Sequence, residues 1–276
     1  MTIQALADAI ENSRPVVLAI PYDLAPELIG ERGEIIPDLP EPTRLPSPDH
    51  VEAARIAHHL ADAERPLILA GRGAIGARSE LRALAETLGA DVATTVPTQG
   101  YFSVPARRPT NFRDLGVCGG FSAPVALREI GRADVVFVVG AGLNQFTMAF
   151  GTAFSDEARV IQVGDTAEPT NSRVDQYCRA DATDAVRLIH DKILQLGVSG
   201  RTPVISPTSE EAQRRTEGDE QAPDGRLDPR RVMSRLNDLL PQDRVVFTDG
   251  GHFMQWPLTY LKVNEPDSHV LSLIHI

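Results

Sequence analysis

Apolar residues follow two rhythms along this chain: short unbroken runs, and stripes at helical spacing between them. The runs are PLILA from Pro66, DVATT from Asp91, DVVFVVG from Asp134 and RVIQVG from Arg159. Runs this short and this apolar suit strands covered on both faces. The stripes lie in VEAARIAHHLADA, ARSELRALAETLG, APVALREIG and ATDAVRLIHDKILQLG. The first carries Val51, Ala54, Ile56 and Leu60 at helical spacing. Ser47-Pro48-Asp49 before it offers a capping hydroxyl, a proline for the first helical position and an acid for the first turn. Strand and helix then alternate as far as Gly197, which predicts an α/β fold whose central parallel sheet carries helices on both faces.

The pattern changes at both ends. IQALADAIEN predicts a helix and PVVLAI a buried strand after it, a pair that cannot bury its apolar faces alone. Seven prolines between Pro21 and Pro48 then exclude regular helix and suit an extended connector. Beyond the alternating region, SPTSEEAQRRTEGDEQAPDG is polar and aperiodic, which predicts a surface linker. Asp228-Pro229 opens another helix, PRRVMSRLNDLL, which Pro241 stops, and RVVFTDGG reads as a further strand. The expected organisation is a partial unit over 1–25, a Pro-rich linker over 26–50, a complete domain over 51–196, a polar linker over 197–227 and a second partial unit over 228–276.

Composition narrows the function. A net charge of -11 and a pI near 5.1 argue against a nucleic-acid or anionic-membrane surface. No apolar run approaches the roughly 20 residues that span a bilayer. The first residues lack the basic and apolar regions of a secretory signal. The two cysteines, Cys118 and Cys178, make neither a disulfide framework nor a metal site, so the expected compartment is the cytoplasm. His58 and His59 are sequence neighbours on one helix, point in different directions and cannot chelate together. Cys118 has no His or acid at a nucleophile's spacing and reads as a small buried residue.

Candidate chemistry gathers in glycine loops. Gly71, Gly73 and Gly76 stand as G-x-G-x-x-G after the first central strand, where backbone amides can approach a phosphate. A nicotinamide dinucleotide also needs an acid at the end of the next strand, but DVATT ends in Thr94 and Thr95, with Asp91 at its other end. A tight strand-to-helix turn explains the glycines equally simply. Gly140 and Gly142 follow the strand at 134–139, and Asp165 follows the next strand. Loops at the carboxyl ends of adjacent parallel strands surround the natural ligand crevice. Gly71, Arg72, Gly73, Gly140, Gly142 and Asp165 therefore frame a crevice for FAD, ADP or another nucleotide, or an inherited crevice that is empty. A stand-alone nucleotide-binding module, for NAD, FAD or ADP, is the alternative this leaves open.

Three segments read together resemble the thiamine-diphosphate-dependent enzymes, most closely their acetolactate synthase-like branch. RPVVLAIPYDL resembles the last strand of the pyrimidine-binding domain. The stretch from ADAERPLILAGRGAIG to ARVIQVGDT resembles the central domain, which is Rossmann-like. VVFTDGGHFMQW resembles the opening of the diphosphate-binding domain. Asp249, Gly251 and Trp256 match the family's D-x-G-x-x-x-x-W stretch. The resemblance implies that Gly251, His252 and Phe253 touch the diphosphate of thiamine diphosphate, although the family more often has glutamine then histidine at 252 and 253. It also implies Mg2+ in the whole enzyme, a 2-oxo acid substrate, a carboligation or decarboxylation, and a homodimer or homotetramer. Flavin-containing relatives place FAD near Gly71, Gly73, Gly140 and Asp165, but often carry G-A-R where this chain has Gly140-Ala141-Gly142.

The family's G-D-G metal motif is absent from the sequence; Gly164-Asp165-Thr166 and Gly218-Asp219-Glu220 lie in the wrong regions. By the resemblance, the family's catalytic glutamate precedes residue 1. The chain is therefore expected to be an internal piece of such an enzyme, inactive by itself, with no catalytic or metal-binding residue of its own.

Overall fold

A computed structural model describes residues 2–11, 16–24, 45–104 and 109–271. Most of the proline-rich connector and the last residues, 272–276, lie outside the described residues.

Six strands form one parallel sheet: β1 (Pro66–Ala70), β2 (Asp91–Thr94), β3 (Arg113–Val117), β4 (Val135–Val139), β5 (Arg159–Gly164) and β6 (Gln176–Arg179), in the order β3-β2-β1-β4-β5-β6. The order reverses between β1 and β4, whose registers pair Pro66 with Val135 and Ala70 with Val139. Successive side chains on these strands point to opposite faces. Ile68, Phe137 and Ile161 therefore face one layer, with helices α2 (His50–Asp62), α3 (Arg78–Leu88) and α5 (Ala182–Gln195). Leu67, Leu69, Val136, Val138 and Val160 face the other, with α4 (Pro124–Ile130). Each fully buried leucine of α3, such as Leu81 and Leu84, is worth about 1.5–3 kcal/mol over exposure. The expected α/β sheet with both faces covered is thus the observed fold.

Several local expectations change. The cap of α2 is Asp49, whose carboxylate accepts from the Val51 amide at 2.8 Å, and Ser47 lies before it. Ile56 and Leu60 of the expected stripe are fully buried, but Val51 is 67% exposed and Ala54 half-buried, and Ala53 and Ala57 complete the buried face. Helix α1 spans Thr2–Glu11 as expected, but residues 16–20 form no strand and are exposed, with Val17 at 91%. Among the described residues no neighbouring strand offers them a ladder, and an unpaired strand has no hydrogen bonds to hold it extended. The segment that reads as irregular between Thr95 and Ala123 contains β3, and β6 likewise has no clear apolar run.

The polar linker is also structured. Helix α6 (Ser209–Gln213) is capped by Thr208, whose Oγ1 accepts from the Glu211 amide while the Glu211 carboxylate accepts from the Thr208 amide at 2.8 Å. This reciprocal cap satisfies two amides at once. The helix lies along β3, the edge of the sheet. Ser209 Oγ accepts from the Asp114 amide at 2.9 Å, Gln213 Nε2 donates to the Asp114 carbonyl at 2.8 Å, and Ala212 is fully buried. An edge strand exposes unpaired backbone groups, and this strap covers them.

Helix α7 (Pro229–Leu239) starts at the Asp228 cap as predicted, and Pro241 follows its end. Beyond it, β7 (Val246–Thr248) pairs in parallel with β8 (His269–Leu271), and α8 (Gln255–Tyr260) lies between them in sequence. This unit docks on the central domain through Gly100, whose φ of +88° and open α-carbon admit the backbone of 263–265. An added Cβ there would lie 2.5 Å from the Asn264 carbonyl carbon.

One buried ion cluster ties the layers together. Arg113 is 3% exposed and grips Asp91 through two bonds, Nε to Oδ1 at 2.7 Å and Nη2 to Oδ2 at 2.6 Å. Its Nη2 also donates to buried Glu129 of α4 at 3.1 Å, and its Nη1 to the Pro207 carbonyl of the strap at 3.1 Å. Removing the shared cation leaves buried carboxylates uncompensated. Arg113→Met is expected to cost about 3–5 kcal/mol, read as a lower urea midpoint at unchanged slope.

Candidate functional site

The carboxyl ends of β1, β4 and β5 carry the sequence-predicted crevice residues, at the point where the strand order reverses. That point is the natural ligand crevice of an open parallel sheet. The loops after β1 and β4 meet backbone to backbone. The Gly71 amide donates to the Val139 carbonyl, and the Gly73 amide to the Gly140 carbonyl, both at 2.9 Å. A Cβ on Gly71 would lie 2.3 Å from the Gly140 oxygen, and one on Gly140 would lie 2.3 Å from the Ala74 nitrogen. Gly140 also has φ +58°, a left-handed conformation. Glycine is required on both sides of this seam.

The seam changes what the first loop offers. Residues Arg72–Ala77 form a tight 3-10 turn before α3, so the helix does not begin at the loop. The amides of Gly71, Gly73 and Ala74 already donate to carbonyls, Ala74 to that of Gly71 at 2.9 Å. The Tyr101 hydroxyl donates to the Ala74 carbonyl at 2.7 Å, which fixes the turn further. Arg72, Gly73, Gly142 and Asp165 stay exposed around the mouth, and Gly142 has open space where a Cβ would stand. The Asp165 carbonyl accepts from Arg179 Nε at 3.0 Å. Asp91 sits at the amino edge, committed to Arg113.

Two features of this edge escape a reading of the sequence. Gln162, a polar residue inside the apolar run VIQVG, is 1% exposed. Its Nε2 donates to the Ala141 carbonyl at 2.9 Å and its Oε1 accepts from the Thr170 amide at 3.0 Å, which joins the loops after β4 and β5. A lone glutamine in a buried strand was the available signal. The loop after β4 then holds Ala149 and Phe150 at φ +47° and +57°. Phe150 is 71% exposed and meets Phe146 edge-on, with centroids 5.9 Å apart, and Phe146 in turn meets Phe121. Cys118 is buried, its thiol donating to the Thr147 carbonyl of this loop at 3.5 Å. Desolvation pushes that thiol up to about 12 and leaves it inert as a nucleophile.

The second predicted group follows β7. Gly251 adopts φ +134°, and a Cβ on it would lie 3.1 Å from the Phe253 ring. Asp249, Gly250, Gly251, His252 and Phe253 are all exposed, and the Asp249 carboxylate accepts from the Gly250 amide at 2.7 Å. A 3-10 turn, His252–Met254, leads into α8. Leu258 and Met254 of this segment pack on Val117, Phe121 and Val96, so the turn stands beside the carboxyl ends of β2 and β3.

Residues 53–189 match the thiamine pyrophosphate enzyme central domain. The chain belongs to the thiamine pyrophosphate enzyme family, through that central domain. Among curated relatives, it is 29% identical to sulfoacetaldehyde acetyltransferase from Alcaligenes xylosoxydans xylosoxydans, over 94% of this chain and 47% of that protein. A probable acetolactate synthase large subunit from Methanocaldococcus jannaschii is 26% identical, over 94% of this chain and 45% of its own length. A solved benzoylformate decarboxylase from Polynucleobacter necessarius has the same fold, with a TM-score of 0.64 at 20% identity, over 98% of this chain and 48% of that one. The chain spans about half the length of the curated relatives it matches.

In this member of the thiamine pyrophosphate enzyme family the glycine seam is thus a structural joint of the central domain. Gly140→Ala is expected to lose at least about 3 kcal/mol, combining left-handed strain with a backbone clash. Gly142→Ala, two residues on, is expected to stay within about 0.5 kcal/mol. Urea unfolding of the two variants checks the contrast.

Proposed function

We propose that this chain supplies the central domain and the opening of the diphosphate-binding domain of a thiamine-diphosphate- and Mg2+-dependent enzyme that acts on small 2-oxo acids. An acetolactate synthase-like carboligase or decarboxylase is the reading the relatives favour. The observation that carries it is the turn after β7. Asp249, Gly250 and Gly251 stand at an exposed strand end, with Gly251 in a conformation that only glycine adopts freely. Glycine at a strand end lets a phosphate approach the backbone closely, and the amides there are suited to bond its oxygens. Gly251, His252 and Phe253 would hold the diphosphate in this reading.

When bound, thiamine diphosphate supplies a carbanion and an electron sink for 2-oxo acid chemistry. The part of this chain is to bind and orient the diphosphate end. Among the described residues no group of three or more His, Cys, Asp or Glu is placed to hold a metal ion, so Mg2+ is assigned to no residue here. In the same reading the crevice framed by Gly71, Arg72, Gly73, Gly140, Gly142 and Asp165 takes FAD or another nucleotide. Because the first-loop amides are already bonded, Arg72 and the open backbone at Gly142 would make the phosphate contacts. The whole enzyme would be a homodimer or homotetramer. A stand-alone nicotinamide module is the less favoured reading, since β2 ends in Thr94 with no acid for a ribose.

Calorimetric titration of the full-length protein carrying this chain, with thiamine diphosphate and Mg2+, tests the reading. Saturable binding is expected, weakened about tenfold or more by Gly251→Val, a loss of about 1.4 kcal/mol. No heat from the wild-type protein removes the reading. Visible absorbance of the purified protein reports flavin independently.

A further inference from the structure

A separate cleft of about 80 Å3 opens where three parts of the chain meet. Thr94 and Leu115–Val117 line it from the carboxyl ends of β2 and β3, Gln213 and Arg215 from the strap, and Lys262 and Asn264 from the segment before β8. The close approach of 263–265 to Gly100 makes this junction a built seam.

Its polar groups are out of balance. The half-buried Arg215 guanidinium donates only to carbonyl oxygens, those of Ser122 at 3.0 Å and of Phe121. Among the described residues no carboxylate pairs with it, and burial pushes its pKa down to about 10. Lys262 stands at the same cleft, exposed and likewise without a salt bridge among the described residues. Thr94 is 2% exposed, yet its Oγ1 has no hydrogen-bond partner, and neither has the buried Oε1 of Gln99. The one acid in the wall, Asp114, accepts from the Gly116 amide at 2.8 Å, and burial pushes its carboxyl above the usual carboxylate range. A half-buried cation without a counter-charge and a buried hydroxyl without a partner are both unfavourable unless something supplies acceptors.

We propose that this cleft binds one small oxyanion, a phosphate or a carboxylate, using Arg215, Lys262 and the Thr94 hydroxyl, and so fastens the strap and the β7–β8 unit to the central domain. The space admits about five water-sized atoms, the size of a single tetrahedral oxyanion. The site is distinct from the Gly250–Phe253 turn and does not depend on thiamine diphosphate.

Thermal unfolding of the whole chain at constant ionic strength tests the proposal, with inorganic phosphate in one arm, acetate in a second and chloride as the control. A saturable rise in Tm is expected with phosphate, acetate or both, and the stronger arm identifies the source. Arg215→Gln and Thr94→Val are each expected to weaken the apparent affinity about tenfold, which corresponds to about 1.4 kcal/mol. Arg226→Gln, an exposed linker cation that lines no part of the cleft, should leave the response unchanged, which separates the cleft from general surface charge. Should Arg215→Gln fail to fold, Lys262→Gln at the exposed rim gives the same readout. No saturable response to either anion, or an equal response in wild type and every cleft variant, overturns the proposal.

Discussion

The backbone contact between the loops after β1 and β4 is the constraint on which this edge of the sheet depends. These strands are neighbours at the reversal of strand order, so their loops must leave the sheet in opposite directions from almost the same place. With side chains on both loops they would collide. Gly71 and Gly140 let them touch and exchange hydrogen bonds instead. The same contact consumes amides that a glycine-rich loop otherwise turns towards a phosphate. A motif that suggests a ligand is here first a joint.

The buried charges do a comparable task at the other edge of the sheet. Arg113 belongs to β3, Asp91 to β2, Glu129 to α4, and Pro207 to the strap, so one guanidinium fixes four elements. Burying ions is costly, and the bidentate geometry with Asp91 offsets that cost. The strap then covers the β3 edge, and its last residues reach the β7–β8 unit. The Tyr260 hydroxyl donates to the Thr216 carbonyl at 3.0 Å, extending the connection to α8. The linker is therefore part of how the central domain and the following unit are held together.

Much of the fold was legible from periodicity. The four apolar runs became β1, β2, β4 and β5, and the helices between them formed close to their predicted limits. The elements that were missed share a cause. β3 reads RDLGV, and its arginine enters the core only because Asp91 and Glu129 neutralise it. β6 lies at the opposite edge and is half-buried, so its sequence, QYCR, needs no apolar run. α6 has five residues inside a polar stretch; the Thr208–Glu211 capping pair was its one local sign. The strand expected at 15–20 fails for the converse reason, an apolar run with no neighbour to pair with among the described residues.

By itself the sequence determined the α/β class, the parallel sheet and the positions of the glycine turns, because these follow from spacing among near neighbours. Tertiary structure alone decided that Gly71 meets Gly140, that Arg113 has two carboxylates and that Arg215 has none among the described residues. Those pairings join residues far apart in the chain, and no local periodicity encodes which distant partner a side chain will meet.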